Sequence, residues 1–252
     1  MGCSVTQRVR QVSQPRGGYL KPKDFDEIIL GPGIEELNEE ENVEPNLVGT
    51  DVEYLTHFMT GASLETAFCI SIMGARLIGK EMEAEALLKK VKGLDDNSII
   101  SALKLTGFDT CRRAGFSNYK PVEQIEPDNA TFENVRTMVN RSLHFFDIYG
   151  PKVLDGFTFR GGYTETVSSG DGDFTTKDTI WDFKVLKDKI KPKYTLQLLM
   201  YWRMGLNSIH LEFNNLKYLG FYNPRLNKVY RIEVDKISEA IINEVDREVI
   251  GY

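Results

Sequence analysis

Apolar positions along this chain repeat first with a helical period and then, from about residue 152, with the two-residue period of strands. From Asn46 onward, Leu47, Val48, Val52, Leu55, Phe58 and Met59 fall near a 3.6-residue spacing, which predicts an amphipathic helix with Asn46 as N-cap and Pro45 before it. The helical pattern continues over 62–92, where Ala67, Ile70, Met73, Leu77 and Ile78 lead into a charged tail that stops at Gly93. Over 95–119 it breaks into two short helices, 99–105 and 110–114, around Gly107. That pair has the outline of a helix-turn-helix, but its second segment is short, and packing is favoured over DNA readout. A further amphipathic helix spans 131–149, with Val135, Met138, Val139, Leu143, Phe145 and Phe146 on its core face, and Gly150-Pro151 ends it.

Beyond residue 152, aromatic, Thr and Val residues alternate, which favours strands over 153–159 and 163–168 with a bend at Gly161-Gly162. Strands follow at 171–175 and 179–186, joined by the turn 176–178. A helix over 193–205 starts just after Pro192. Strands at 216–222 and 229–234 flank the turn 223–227, and a last amphipathic helix runs from Asp235 to residue 250. The expected fold is α/β: a mixed central sheet flanked by helices, behind a mainly helical N-terminal part. Residues 1–46 read as an arm outside the domain at 47–252. The arm is basic over 1–23 (Arg8, Arg10, Arg16, Lys21, Lys23) and acidic over 24–46, where Glu35, Glu36, Glu39, Glu40, Glu41 and Glu44 crowd together. For the basic part, a loosely ordered terminus is favoured over a phosphate-contacting strap; the acidic part reads as solvated linker.

Composition adds bounds. With 41% hydrophobic and 27% charged residues the chain is that of an ordinary soluble globular protein. A net charge of −6 does not favour nucleic acid, yet carboxylates that hold a cation are themselves acidic, and phosphate contact needs only a local basic strip. The three cysteines, Cys3, Cys69 and Cys111, form no CxxC pair, which points to a reducing, cytoplasmic setting and against a four-cysteine cluster. No apolar run reaches the length of a membrane helix, so no membrane is expected. The start MGCSVT fits the N-myristoylation pattern with Cys3 as a palmitoylation candidate; so short a pattern is read as a chance match.

The candidate chemistry lies between Gly170 and Tyr201. In WDFKV (181–185), Asp182 and Lys184 are two apart and share one sheet face, while Trp181, Phe183 and Val185 share the other. A charged pair is costly as pure core and makes sense where that face lines a cleft; the plainer reading is an exposed edge strand carrying an Asp–Lys pair. Asp173 ends or follows the preceding strand. Two carboxylates on neighbouring strands can bind Mg²⁺ or Mn²⁺ by oxygen. Downstream, Lys193, Gln197 and Tyr201 are spaced i, i+4, i+8 along one helix face, and Lys184, Lys187, Lys189, Lys191 and Lys193 place five lysines in ten residues. Such a strip suits a phosphate backbone. Glu53 sits on the helix after Asn46; by its neighbours it is either a solvated edge residue or part of a metal site built elsewhere.

These motifs together resemble the PD-(D/E)XK nuclease superfamily, in particular its RecB-type, exonuclease-like branch. That branch carries Gly-x-x-Asp on one strand, an acidic-x-Lys on the next and Gln-x-x-x-Tyr on the following helix. Gly170-Asp171-Gly172-Asp173, Asp182-Phe183-Lys184 and Gln197 to Tyr201 match in that order. An upstream Gly followed four residues later by His or Glu matches Gly49 and Glu53. The likeness covers roughly 47–60 and 152–234 and leaves 62–150 as an insertion-like helical region. It implies a restriction-endonuclease-like core and Mg²⁺- or Mn²⁺-dependent hydrolysis of DNA, double- or single-stranded, with protein partners left open. It also implies Asp173, Asp182, Glu53 and the Phe183 carbonyl as metal ligands, Lys184 as the catalytic lysine, and Gln197, Tyr201 and Lys193 as substrate-positioning residues. Asp171 competes with Asp173 as the first ligand. The alternative function is a catalytically inactive nuclease-fold protein that binds nucleic acid or protein.

Overall fold

The computed structural model describes residues 2–31, 36–113, 115–116 and 119–252. Met1 of the lipidation pattern, Glu35 of the acidic run and Ala114 of the second short helix lie outside the described residues.

The first residues are structured, which corrects the expectation of a loose arm. After β1 (Cys3–Ser4), the Ser4 side chain accepts from Gln7 N and the Gln7 side chain accepts from Ser4 N, a capping box that opens α1 (Val5–Gln11). One turn apart, Val5 and Val9 enter the same core as the later helices. Arg8 donates to the carbonyls of Val249 (2.8 Å) and Glu248 (2.6 Å), so its charge serves the C-terminal turns. Tyr19, Leu20 and Phe25 are buried as well, and β2 (Asp26–Ile29) pairs antiparallel with a strand near the C-terminus.

The chain divides into two compact units, Met1–Leu30 with Phe146–Tyr252, and Gly31–Phe145. The second unit is helical: α2 (Pro45–Met59), α3 (Leu64–Ala67), α4 (Cys69–Leu77), α5 (Glu81–Leu88), α6 (Asp96–Thr106), α7 (Asp109–Arg113) and most of α8 (Asn129–Tyr149). Helix α2 begins two residues earlier than expected, with Pro45 at its first position and Glu44 preceding it, so Asn46 lies inside the helix rather than capping it. The single helix expected over 62–92 is three, because the backbone leaves helical geometry at Phe68 and the left-handed Gly79 breaks the run again. The acidic side chains of Glu36, Glu39, Glu40 and Glu44 are exposed, as expected. The backbone that carries them is nevertheless tied to α8: Asn38 N donates to Asn134 Oδ1 at 2.7 Å, and Asn42 N donates to Thr131 Oγ1 at 3.0 Å. Helices α6 and α7 and the turn between them place Leu103, Leu105, Phe108 and Cys111 in the core, in keeping with a packing role.

The first unit holds β3 (Leu154–Thr158), β4 (Val167–Ser169), β5 (Asp171–Thr175), β6 (Thr179–Phe183), α9 (Pro192–Leu206), β7 (Tyr218–Asn223), β8 (Lys228–Glu233) and α10 (Glu239–Glu244). Among the described residues, six strands form one mixed sheet in the order β2-β8-β7-β6-β5-β3; within it only β6 and β7 run parallel, and α9 is the crossover between them. Strand β4 leaves this sheet and pairs with β1. The last helix starts at Ser238, whose hydroxyl accepts from Ile241 N, rather than at Asp235, and loosens into π turns over Val245–Ile250. Among the described residues no helix is long and apolar enough to cross a membrane.

Candidate functional site

Strands β5 and β6 form a hairpin whose turn is fixed from the far side of the sheet. Trp181 Nε1 donates to Thr176 Oγ1 at 2.9 Å, and Arg231 reaches Asp178 at 3.1 Å and Thr179 Oγ1 at 2.7 Å. Arg231 also lies 3.7 Å from the centre of the Tyr218 ring, and Tyr149 packs edge-on against Trp181. With its aromatic face so anchored, β6 must turn Ile180, Asp182 and Lys184 to the opposite face. Register carries this across the sheet: Thr175 opposes Ile180, and Asp182 opposes Phe221. Helix α9 supplies the apolar layer there, with Leu196, Leu199, Met200 and Met204 fully buried.

On this face Asp182 is 1% exposed. Lys184 Nζ donates to its Oδ1 at 2.9 Å; Oδ2 lies 2.8 Å from the same nitrogen and takes no hydrogen bond. Asp173, half-buried on β5, accepts from Phe183 N through Oδ2 at 2.7 Å, which locks the carboxylate to the next strand beside Asp182. Asp171 is exposed and opposes Thr158, so between the two candidates Asp173 is the one placed at the pair. Phe183 itself is buried, edge-on against Tyr222.

The electrostatics follow from that placement. Burial pushes the Asp182 carboxyl up to about 7; the charge of Asp173 adds to the rise, and Lys184 opposes it. Burial also raises Asp173, against Lys184, the Phe183 N–H and Lys152, with Asp155 adding to the rise. For Lys184, burial works against the charged form, but Asp182 and Asp173 outweigh it and hold its pKa above the ordinary lysine value. Tyr201 is raised by burial and by the two aspartates. Lys184 is therefore a cation at neutral pH facing two carboxylates that repel one another.

Helix α9 brings Gln197 and Tyr201 together: Gln197 Nε2 donates to Tyr201 Oη at 2.7 Å, and the Tyr201 ring stacks on Phe159. Lys193, at the start of the helix, is exposed and sits 4.8 Å from the centre of the Tyr194 ring, whose centre is 5.8 Å from Lys184 Nζ. No sequence pattern marks Tyr194. Lys152 and Asp155, paired at 3.0 Å beside Asp173, are likewise unmarked; they stand at a loop and strand start with no motif. Glu53 is exposed on α2, in the helical unit. Of the expected lysine strip over 184–193, Lys187, Lys189, Lys191 and Lys193 are exposed, whereas Lys184 is half-buried and paired with Asp182.

Two buried or half-buried carboxylates on adjoining strands are donors of the kind a hard divalent cation takes, and the Asp182 oxygen without an aligned hydrogen bond lies 2.8 Å from Lys184 Nζ. Among the described residues, no group of three or more His, Cys, Asp or Glu side chains is gathered to hold a metal ion. Comparisons with protein-family models, curated proteins and solved structures find no match to this chain.

Proposed function

We propose that this chain is a metal-dependent nuclease with a restriction-endonuclease-like core, hydrolysing DNA phosphodiester bonds with Mg²⁺ or Mn²⁺. The observation that carries the reading is the adjoining pair Asp173–Asp182 with Lys184 held against it on one sheet face. Two mutually repelling carboxylates destabilise an apolar sheet face, and a bound cation relieves that repulsion. Asp173 and Asp182 would hold the cation; the sequence pattern alone adds the Phe183 carbonyl and Glu53. When bound, such an ion polarises the scissile phosphate and lowers the pKa of water. Lys184, released from Asp182, neutralises charge developing on the phosphate oxygens. Gln197 and Tyr201, already hydrogen-bonded to each other beside the pair, orient substrate or water, and Lys193 holds a flanking phosphate.

A second reading is supported by the direct Lys184–Asp182 ion pair and by the two-carboxylate donor set: a nuclease fold that binds nucleic acid or a protein without cutting. Incubation of the purified chain with linear, circular and single-stranded DNA, in Mg²⁺, Mn²⁺ or EDTA, separates the two. Metal-dependent loss of linear DNA supports hydrolysis; binding without cleavage in every metal supports the second reading.

A further inference from the structure

We infer that the N-terminal segment 16–23 and the loop 187–193 form one phosphate-binding strip that leads a nucleic-acid strand to the Asp173–Asp182 pair. The inference rests on the nuclease reading and extends it to a surface that the motifs do not include. The first 23 residues contain no acid, and residues 187–193 contain one, Asp188, 3.7 Å from Lys191. The two stretches are far apart in sequence, the contact between Leu20 and Thr195 spanning 175 residues, yet they meet at the first turn of α9. Leu20 O accepts from Thr195 Oγ1 at 2.5 Å, and Gly18 runs so close to Pro192 that a Cβ there would lie 2.8 Å from the proline Cβ. Tyr19 and Leu20 are buried, so the segment that carries the charges is anchored and its conformation is fixed before any ligand arrives.

Arg16, Lys21, Lys23, Lys187 and Lys193 are exposed, and none of them is in a salt bridge among the described residues. In a chain of net charge −6, a local excess of exposed cations over the acids beside them, Asp24 and Asp188, is the feature that a polyanion recognises. Tyr194 joins the strip to the carboxylate pair, since Lys193 from the strip and Lys184 from the pair lie over the same ring. That continuity favours a nucleic-acid strand over an anionic membrane surface, which would need no path to the two aspartates.

The test uses the full chain in EDTA, so that binding is read without cleavage. Anisotropy of a labelled single-stranded oligonucleotide is followed against salt for the wild type, for R16Q/K21Q/K23Q and for K187Q/K189Q. All five positions are exposed, and circular dichroism checks that each variant is folded. Each variant is expected to bind about tenfold more weakly, and the slope of log K against log salt for the triple variant becomes shallower by roughly 2, at about 0.7 per lost phosphate contact. Wild-type affinity and slope in both variants would overturn the strip. So would a wild type that ignores the oligonucleotide and sediments with phosphatidylserine vesicles. The outcomes also separate the two claims. A salt slope lost in the variants, with no cleavage in any metal, keeps the strip and removes hydrolysis. Cleavage abolished by Asp182→Asn, with the slope unchanged in the charge variants, does the reverse.

Discussion

Lys184 Nζ sits within 2.9 Å of both carboxylate oxygens of Asp182, two residues away on the same face of β6. The pair is largely buried, with 21% of the lysine side chain and 1% of the aspartate exposed, so each charge compensates the other. Lys184→Met leaves Asp182 and Asp173 facing each other without their cation. The expected loss is roughly 1–3 kcal/mol at pH 7, below the range for fully buried pairs because the lysine keeps some solvent. Adding Asp182→Asn to that variant restores most of the loss. Melting of the single and double variants checks this; a Lys184→Met protein as stable as the wild type would count against the pair.

Gln197 and Tyr201 separate stability from function. Their hydrogen bond spans one turn of α9 at 2.7 Å and is worth about 1 kcal/mol net. Tyr201→Phe keeps the ring that stacks on Phe159 and removes only the hydroxyl. If the hydroxyl orients substrate or water, cleavage falls by about tenfold or more while the melting temperature moves little. An unchanged cleavage rate would limit Tyr201 to packing.

The helical unit buries a second carboxylate problem. Asp51 is 0% exposed, accepts from Thr106 Oγ1 at 3.0 Å, and its Oδ2 takes no hydrogen bond. Nearby Asp109 is satisfied by Tyr54, Ser71 and Arg113. Burial raises the Asp51 pKa well above the usual carboxylate range; the Thr106 hydroxyl opposes this and Asp109 adds to it. The folded state therefore holds the proton that the unfolded state releases. Stability is greatest below the unfolded pKa and falls as pH rises towards the folded value. Asp51→Asn removes this loss, so its advantage over the wild type grows from pH 4 to pH 7. Parallel melting profiles across that range would contradict the assignment.

Gly205 tests the packing of α9. Alanine inside a helix is normally favoured over glycine by up to about 1 kcal/mol. Here a Cβ at Gly205 would overlap the ring of Phe213, which belongs to the buried core. Gly205→Ala is expected to destabilise by roughly 1–3 kcal/mol. A more stable variant in chemical denaturation would show that the ring yields.

Much of the site was legible because alternation and spacing act locally. Strand β5 falls where the pattern put it, and the Asp182–Lys184 face follows from a two-residue offset that no tertiary contact can reverse. The hydrogen bond from Phe183 N to Asp173 and the meeting of Lys184 and Lys193 on Tyr194 depend on packing and leave no trace in spacing. The N-terminal part was misread although a signal was present. Ser4 and Gln7 have capping-box spacing and Val5 and Val9 lie one turn apart, but the surrounding basic residues suggested solvent. Strand β2 was hidden for a related reason: all four of its residues are exposed, and pairing with β8 rather than burial makes it a strand. At the other end, Ser238 displaced Asp235 as the cap because Val234–Lys236 first forms a tight 3₁₀ turn.

The most direct measurement is the rate at which linear DNA is lost in the presence of the wild type and of Asp182→Asn, in Mg²⁺, Mn²⁺ and EDTA. The variant removes the charge and keeps the shape of a side chain that is 1% exposed. The account predicts cleavage by the wild type in Mg²⁺ or Mn²⁺, none in EDTA, and a rate for the folded variant lower by about 100-fold or more. A wild type inert in both metals, or an Asp182→Asn protein that cuts at the wild-type rate, would contradict it.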